Sequence, residues 1–384
     1  MRIALVLNRL DPRAGGVEHW TCQFAQSLAA WGHEVHVVAE RFAPTTDELP
    51  IERHAVPGGT SRLDFAERAR ETLDALSLDV IHDTGAGWRC DVFQPHGGSR
   101  VASFEQNLLL LPAWARPLKR AAARMLPRYR QFERLSSRQY ARDGRLVLAL
   151  SRMVAADLTR YHDVPPDRLR VIYNGVDAER FSPARREEYR QPIRDSLGLR
   201  DGDVLALIVA HNFELKGVPA CIRAVGRLAA EGARLKLAVV GGKRIEPYRR
   251  LAARSGAQGA VSFLGSVADA APYYAAADVY LQPTFYDPCS LVVLEALAGG
   301  LPVITSRFNG AGELMTDGIE GFVLDDPAND ALLADRLRML LDPATRGAAG
   351  LAARRTALRH SWERNCREIV AVYEEVAACG RMAA

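Results

Sequence analysis

The sequence lacks the features that mark several classes of protein. No run of about eighteen uncharged apolar residues occurs in the 384 residues, so the sequence predicts no membrane-spanning helix. The short apolar run after Met1 has no small-residue cleavage site behind it and predicts a buried first strand rather than a signal peptide. The cysteines are scattered and form no C-x-x-C pair, which argues against a zinc site or a disulfide framework and favours a reducing cytoplasm; they are Cys22, Cys90, Cys221, Cys289, Cys366 and Cys379.

The chain also has little net charge, +4 overall, but that charge is unevenly distributed. Residues 100–145 contain eleven Lys and Arg against three acids, so the rest of the chain is mildly acidic. Basic residues beside Trp114, Leu118 and Tyr129 favour contact with an anionic membrane surface. The alternative is a solvated helical face whose apolar side packs inward. A nucleic-acid partner is not predicted, because no recognised binding module accompanies the segment.

What the sequence does contain is an alternation of apolar runs and helical patterns. The runs are rich in Val, Leu and Ile, which is typical of parallel strands covered on both faces. They are Ile3–Leu7, Val35–Ala39, Val80–His82, Val147–Leu150, Val204–Val209, Leu235–Val240, Val261–Leu264, Val279–Leu281 and Pro302–Thr305. A helix between the first two runs places four large side chains on one face and ends at Gly32; these are Trp20, Phe24, Leu28 and Trp31. The pattern predicts two doubly wound α/β domains.

The length also favours two domains, and the boundary is predicted near residues 171–177. A polar stretch with Pro183 and Pro192 follows that point before the next strand. We therefore expect a first domain over residues 1–172 and a second over 173–361. Residues 362–384 are expected to form a helix that packs back on the first domain through Ile369 and Tyr373.

The most informative motif runs from Asp287 to Ala296. Ser290 suits the N-cap of a helix that ends at Gly299. Free N–H groups at Ser290, Leu291 and Val292, with the helix dipole, would form a site for a diphosphate. Glu295 lies about one turn into the helix among apolar residues, where a carboxylate can accept both ribose hydroxyls of a nucleotide. The alternative is that Asp287 begins a turn and Glu295 is an ordinary surface residue.

The order and spacing of five motifs resemble the retaining GT-B glycosyltransferases of family 4, and the middle of the chain resembles their bacterial lipopolysaccharide-core glucosyltransferases. The motifs are Gly15-Gly16-Val17-Glu18, Asn174-Gly175-Val176-Asp177, Lys216-Gly217, Asp287 through Glu295, and Gly310-Ala311-Gly312-Glu313. The resemblance implies a GT-B fold, in which two Rossmann-like domains face each other across a cleft. It implies transfer of a hexose from a nucleotide sugar, expected to be UDP-linked, to a lipopolysaccharide core or another lipid-linked or glycan acceptor. The first domain would hold the acceptor and the second the donor. With the basic segment, this places the protein in the cytoplasm, peripheral at the inner face of the membrane.

For the second half, the resemblance implies that Asp287 holds the sugar hydroxyls and that Lys216 neutralises the leaving nucleoside diphosphate. The family usually has Glu where Asp287 stands, and an Arg near Lys216. Because no Arg lies in this loop, Arg307 or Lys243 is a candidate substitute. Gly241 matches a glycine-rich loop that faces the nucleotide. Glu313 matches a position that supports the nucleotide loop, although a structural helix start is an equal alternative.

For the first half, the resemblance implies that Gly15 and Gly16 approach the donor phosphates or the acceptor. A simple loop-to-helix turn is the equal alternative for this pair. His96 matches the catalytic position on the acceptor side. It would stabilise the reacting sugar while the leaving phosphate takes the acceptor proton, and its alternative is a structural histidine.

No metal and no cofactor are predicted. Asp201-Gly202-Asp203 has the D-x-D form of metal-dependent transferases, but it precedes a strand and is ordinary turn chemistry. Two rival functions remain at this stage. One is a GT-B nucleotide-sugar epimerase, and the other is a non-catalytic protein that binds nucleotide sugars.

Overall fold

The computed structural model describes residues 1–57, 59 and 61–383, with only the backbone considered for Arg128 and residues 379–383. It divides into two compact units. Unit 1 consists of Met1–Ile172 together with the C-terminal residues from Arg364, and unit 2 consists of Tyr173–Glu363.

The strands of unit 1 form one parallel sheet within the described residues, in the order β5-β3-β1-β6-β7-β8-β9, and β2 pairs separately with β4. The strands are β1 (Arg2–Val6), β2 (Arg9–Leu10), β3 (Glu34–Ala39), β4 (Arg41–Phe42), β5 (Glu52–Ala55), β6 (Val80–Asp83), β7 (Val92–Phe93), β8 (Leu146–Ala149) and β9 (Leu169–Val171). The helices are α1 (Gly16–Ala30), α2 (Arg62–Asp74), α3 (Arg100–Leu108), α4 (Ala115–Met125), α5 (Pro127–Gln139) and α6 (Arg152–His162).

Unit 2 contains a second parallel sheet, in the order β12-β11-β10-β13-β14-β15. Its strands are β10 (Val204–Val209), β11 (Leu235–Val240), β12 (Val261–Gly265), β13 (Val279–Gln282), β14 (Val303–Ser306) and β15 (Gly321–Leu324). Its helices are α7 (Arg186–Ser196), α8 (Val218–Ala230), α9 (Glu246–Arg254), α10 (Ala271–Ala276), α11 (Leu291–Ala298), α12 (Asp330–Met339) and α13 (Pro343–Arg359). The last helix, α14 (Trp362–Ala383), belongs to unit 1 from Arg364 onward.

Both sheets reverse their strand order beside the first strand of the unit. In unit 1 the reversal lies between β1 and β6, and in unit 2 it lies between β10 and β13. The predicted doubly wound α/β architecture is thereby confirmed. In such sheets, ligands bind at the carboxyl ends of the strands on either side of the reversal, so these two points locate the candidate sites.

Helix α1 shows where the helical pattern succeeded and where it failed. Trp20, Phe24 and Leu28 are buried against the sheet of unit 1, as their spacing predicts. Trp31 was expected on the same face, and this is wrong, since its side chain is 40% exposed. The helix ends at Ala30, and the chain then turns through Gly32, whose φ is 83°, so Trp31 lies past the helical register.

Helix α14 contributes side chains that form hydrogen bonds inside unit 1. The Tyr373 hydroxyl is hydrogen-bonded to the Nδ1 atom of His82 on β6, and both side chains are buried. The indole Nε1 of Trp20 donates to the Oδ1 of Asn365 at 3.3 Å. Across the part of the chain that the structure describes, no helix combines the length and the apolar character needed to cross a bilayer.

Candidate active site

The donor-side residues predicted from the sequence meet at the reversal between β10 and β13. Lys216 lies in the loop that follows β10, and Asp287 lies in the loop that follows β13. The Nζ atom of Lys216 is 2.6 Å from the Oδ2 atom of Asp287. Because neighbouring parallel strands end at the same edge of the sheet, residues separated by 71 positions form this ion pair.

Backbone contacts hold the two loops together. The carbonyl of Leu215 accepts hydrogen bonds from the Phe285 N–H at 2.8 Å and from the Thr284 hydroxyl at 2.9 Å. Gly217 has a φ of 78°, and a Cβ atom there would overlap the Pro283 carbonyl oxygen. The close approach of the two loops therefore requires glycine at this position.

Gly241 has a comparable role in the loop after β11. Its φ is 97°, and a Cβ atom would overlap the carbonyl oxygen of Ala210 at the end of β10. The Gly241 N–H donates to the Gly265 carbonyl at 2.6 Å. These contacts explain the glycine sterically and place it at the carboxyl edge of the sheet, while its contact with a nucleotide stays a prediction.

Helix α11 begins at Leu291 with Ser290 as its N-cap, but Ser290 does not act as expected. Its N–H, predicted to be free for phosphate, donates to the Oδ1 atom of Asn309 at 3.3 Å. Its hydroxyl donates to the Oε1 atom of Gln282 at 2.9 Å and does not cap the helix. The expectation of a free Ser290 N–H is therefore wrong. The N–H groups of Leu291 and Val292 lie in the first turn, where no intrahelical acceptor is available, and their contact with a phosphate stays a prediction.

Glu295 lies on α11, where its side chain is half-buried. Burial raises the pKa of this carboxyl group to about 7, while a hydrogen bond with Tyr274 and the charge of Arg180 act in the opposite direction. A carboxylate with a raised pKa and no ion-pair partner among the described residues is typical of a functional site rather than of a solvated helix surface.

The loop that carries Asp287 is also held from the other side. The Asp287 N–H donates to the Phe308 carbonyl at 2.9 Å, and the Gly310 N–H donates to the Asp287 carbonyl at 2.9 Å. A short 3₁₀ helix, Gly310–Leu314, follows. Its Glu313 accepts a hydrogen bond from the Tyr173 hydroxyl at 2.7 Å, so this carboxylate links two parts of unit 2.

The second cation of a diphosphate clamp is not found beside Lys216. Arg307 is exposed, and its guanidinium lies 3.5 Å from the carboxylate of Asp325. Lys243 is exposed on the loop after β11. Within the described residues, neither forms an ion pair or hydrogen bond with Lys216 or Asp287.

The D-x-D sequence takes a structural role. Asp203 accepts hydrogen bonds from the Arg234 side chain and the Arg200 N–H, both at 2.8 Å. These bonds fix the turn before β10. Among residues 1–57, 59 and 61–383, no group of three His, Cys, Asp or Glu is arranged to hold a metal ion.

In unit 1, His96 lies in the loop that follows β7, beside the ring of Trp20 at a centroid distance of 4.5 Å. The side chain is buried, and its Nε2 atom has no hydrogen-bond partner among the described residues. Burial lowers the pKa of His96 to about 3, so the imidazole is neutral at physiological pH.

Sequence reasoning missed the polar residues that surround His96. His82 is fully buried, and burial, together with the charge of His96, lowers its pKa to about 3. Gln94 is also fully buried next to this pair. A histidine that ends a strand and a glutamine that follows the next strand were available signals, because both strands end at the same edge.

Asp83 was missed as well. Its carboxylate accepts hydrogen bonds from the N–H groups of Gly85, Ala86 and Gly87 at 2.6–2.8 Å and so fixes the loop after β6. Burial raises the pKa of Asp83 to about 6.

The Gly15-Gly16 pair forms the start of α1. Gly15 is the N-cap, and its carbonyl accepts from the His19 N–H at 3.0 Å. A Cβ atom on Gly15 would meet the end of the Glu18 side chain at 2.8 Å, which is a flexible group. The Gly15-Gly16 pair therefore forms a loop-to-helix turn, and its contact with a donor or acceptor stays a prediction.

Comparison with known proteins agrees with this geometry. The family model for Glycosyltransferase Family 4 matches residues 14–180, and that for Glycosyl transferases group 1 matches residues 203–343. The lipopolysaccharide glucosyltransferase WaaG of Escherichia coli is 25% identical, over 96% of this chain and 93% of its own. A D-inositol 3-phosphate glycosyltransferase of Acidothermus cellulolyticus is 28% identical, over 97% of this chain and 88% of its own.

Solved structures share the architecture. The crystal structure of WaaG, a glycosyltransferase involved in lipopolysaccharide biosynthesis, has a TM-score of 0.82 at 22% identity, over 97% of this chain and 99% of its own. Anabaena HepE in complex with UDP-glucose has a TM-score of 0.73 at 18% identity, over 98% of this chain and 100% of its own. The GT-B fold predicted from the motifs is confirmed. The two family models together match most of both units, and the chain belongs to glycosyltransferase family 4.

Proposed function

We propose that the protein is a retaining glycosyltransferase that moves a hexose from a UDP-sugar to a lipid-linked acceptor such as a lipopolysaccharide core. The observation that carries this proposal is the Lys216–Asp287 pair at the head of α11, with Glu295 one turn further along. Unit 2 would bind the donor and unit 1 the acceptor. Support comes from HepE, which was solved with UDP and with UDP-glucose, and from the glucosyltransferase WaaG.

The donor geometry suits the departure of a nucleoside diphosphate. As the bond between the sugar and the phosphate breaks, negative charge grows on the phosphate. The ammonium group of Lys216 and the N–H groups of Leu291 and Val292 are positioned to stabilise that charge. When the donor binds, the Asp287 carboxylate would loosen its contact with Lys216 and accept hydrogen bonds from the sugar hydroxyls.

The state of His96 supports retention without a basic side chain. A histidine with a pKa of about 3 binds a proton weakly at neutral pH, so it is a poor general base. In the proposed reaction the acceptor oxygen bonds to the sugar on the face from which the phosphate leaves. The leaving phosphate oxygen takes the acceptor proton, and neutral His96 supports the positive charge on the sugar.

The donor assignment is tested with Glu295→Ala. We expect UDP-glucose to raise the melting temperature of the wild-type protein, because a ligand of the native state stabilises it. The variant should lose that shift and all transfer to a lipid-linked acceptor while keeping its fold. Glu246→Ala, on the exposed face of α9, is the matched control and should behave like the wild type. Unchanged turnover in Glu295→Ala would refute the assignment of Glu295 to the donor site. Binding without turnover in the wild type would favour a non-catalytic binding protein.

The proposal of a membrane partner is supported by helix α4, whose apolar side faces solvent. The side chains of Trp114, Leu118 and Met125 are 74%, 65% and 78% exposed. Their spacing of four and seven residues puts them on one face. All residues of α4 are described, and Ala123 alone among them is buried.

The polar side of α4 faces the body of unit 1. The guanidinium of Arg120 forms two hydrogen bonds with the carboxylate of Glu105 on α3, at 2.6 and 3.1 Å. The Nε atom of Arg116 donates to the Leu111 carbonyl at 3.0 Å. The alternative in which the segment packs its apolar side inward is therefore wrong for α4.

An anionic lipid surface fits this arrangement. The exposed apolar stripe is flanked by Lys119 and Arg124, which are also exposed, and the surrounding segment is strongly basic. Apolar side chains inserted below the headgroups, with cations beside them, are typical of helices that lie in the interface of an anionic membrane. We propose that α4 holds the enzyme at the inner face of the cell membrane, where a lipid-linked acceptor is found.

Vesicle co-sedimentation tests this surface. We expect binding to vesicles of phosphatidylglycerol that weakens with salt, and little binding to phosphatidylcholine. The double variant Trp114→Ser and Leu118→Ser should bind at least about tenfold more weakly, since burying each side chain contributes about 1.5–3 kcal/mol. Leu351→Ser, at a side chain of unit 2 that is 68% exposed, is the control. Equal binding by the double variant, or equal binding to neutral vesicles, would refute the assignment.

A further inference from the structure

Two arginines of unit 1 converge on a single aromatic ring. The guanidinium carbon of Arg100 lies 4.5 Å from the ring centroid of Phe132, and that of Arg62 lies 5.3 Å from the same centroid. Phe132 is on α5, while the arginines come from α3 and α2. Three separate helices therefore bring two positive charges to one place.

Both arginines occupy positions that disfavour a cation. Arg62 is the first residue of α2 after the N-cap Ser61, and Arg100 is the first residue of α3 after the N-cap Ser99. The helix dipole is positive at this end and favours acidic residues there. The two helix N-termini and the two side chains thus add positive potential, which Asp64 in the first turn of α2 offsets in part and no acidic residue offsets in the first turn of α3.

Neither arginine has an ion-pair partner in the described part of the chain. No carboxylate lies within ion-pair distance of Arg62 or Arg100, and neither guanidinium has a hydrogen bond to another described residue. Burial, followed by the charge of Arg62, lowers the pKa of Arg100 to about 10, which leaves it positively charged at neutral pH. A cation–π contact contributes only about 0.5–1 kcal/mol at an exposed site, so Phe132 is weak compensation for this arrangement.

We propose that Arg62 and Arg100 form a binding site for a phosphoryl group carried by the acceptor. Guanidinium groups offer planar pairs of N–H donors that match phosphate oxygens, and each such bond is strengthened by charge. A bound phosphate would relieve the repulsion between the two cations and interact favourably with both helix dipoles. Phe132 would hold the two side chains in place.

The location suits an acceptor group. Ser99, the N-cap of α3, lies three residues after His96, so the same loop that positions the histidine leads directly into the arginine site. The role of this site rests on the proposed function, because the phosphoryl group is assigned to the acceptor of that reaction. The site itself can be tested without any transfer reaction.

The test measures amide hydrogen exchange with inorganic phosphate as the probe. UDP is present throughout, so that phosphate does not report on the donor site. In the wild type, phosphate should slow exchange in peptides covering 61–66 and 99–104, the first turns of α2 and α3. Arg62→Gln and Arg100→Gln should each weaken the apparent phosphate affinity about tenfold or more. Arg100→Lys should be intermediate, because it keeps the charge and loses the planar donor pair.

Controls separate this site from general charge effects. Arg142→Gln removes an exposed cation of the same unit and should leave the phosphate effect unchanged. Sodium chloride at equal ionic strength should not protect the two peptides. Each variant must keep the wild-type melting temperature without phosphate to within a few degrees, and the Lys variant replaces any Gln variant that does not fold.

Three outcomes would overturn the proposal. They are no protection by phosphate in the wild type, equal protection in the Gln variants, and protection by phosphatidylglycerol vesicles but not by phosphate, which would assign the arginines to lipid headgroups. UDP binding should be the same in all variants. If UDP fails to bind the wild type, the proposed function fails, while the phosphate result still decides the arginine site.

Discussion

The affinity for UDP-glucose should rise with pH between 6 and 8 because of Glu295. Burial raises the pKa of this carboxyl group to about 7 in the free protein. It is then about one-tenth ionised at pH 6 and about nine-tenths ionised at pH 8. The ionised form is the stronger acceptor for the two ribose hydroxyls in the proposed complex, so donor binding should favour it and lower the pKa in the complex.

The sign and size follow from proton linkage. Because the free protein must release a proton from Glu295 before the favoured complex forms, affinity increases as the pH rises through 7. The ninefold change in ionised fraction corresponds to about 1.3 kcal/mol, or about tenfold in dissociation constant over the range. Above pH 8 the dependence should level off, since the carboxyl group is already ionised.

Isothermal titration calorimetry with UDP-glucose measures this directly. Both phosphates of UDP-glucose are esterified, so the probe has no second phosphate ionisation near pH 6 of the kind that would complicate UDP. Glu295→Gln cannot titrate, and its affinity should be weaker than that of the wild type at pH 8 and flat across the range. A wild-type curve without slope, or an equal slope in Glu295→Gln, would refute the reasoning.

Two further predictions concern stability, each measured by urea unfolding. Gly217→Ala should lower the free energy of unfolding by about 1–3 kcal/mol more than Gly232→Ala does. Both glycines have φ near 80°, but only the added Cβ at Gly217 overlaps the Pro283 carbonyl. Equal losses of stability in the two variants would show that the loops adjust. Tyr373→Phe should lower the free energy of unfolding by about 1–3 kcal/mol, because it leaves the Nδ1 atom of buried His82 without its partner; no loss would mean that another group or a water takes its place.

Much of the fold was predictable because the long strands are also the apolar ones. The predicted runs Val204–Val209 and Leu235–Val240 coincide with β10 and β11. Shorter or polar strands carry no such signal. β7 has two residues, and β5 is a half-exposed edge strand with the sequence Glu-Arg-His-Ala. Both strands form because they pair with a neighbouring strand, and neither has a hydrophobic pattern that would predict it.

The candidate site was predictable where it depends on local order and not where it depends on distant partners. The start of α11 and the partial burial of Glu295 follow from the motif itself. The bond between the Ser290 N–H and Asn309 joins residues nineteen positions apart, and no local pattern predicts it. The contact of Lys216 with Asp287 depends on β10 and β13 being neighbours, which the doubly wound order alone supplies.

The reversed polarity of α4 makes the proposed membrane contact separable from the folding of unit 1. The helix is joined to its own unit mainly by the polar bonds of Arg116 and Arg120, and it buries a single alanine. Removing or replacing its apolar stripe therefore uncovers no core. Conversely, in the proposed membrane contact, transferring that stripe into a bilayer would withdraw nothing from the interior of unit 1, so binding and release would require no refolding of that unit.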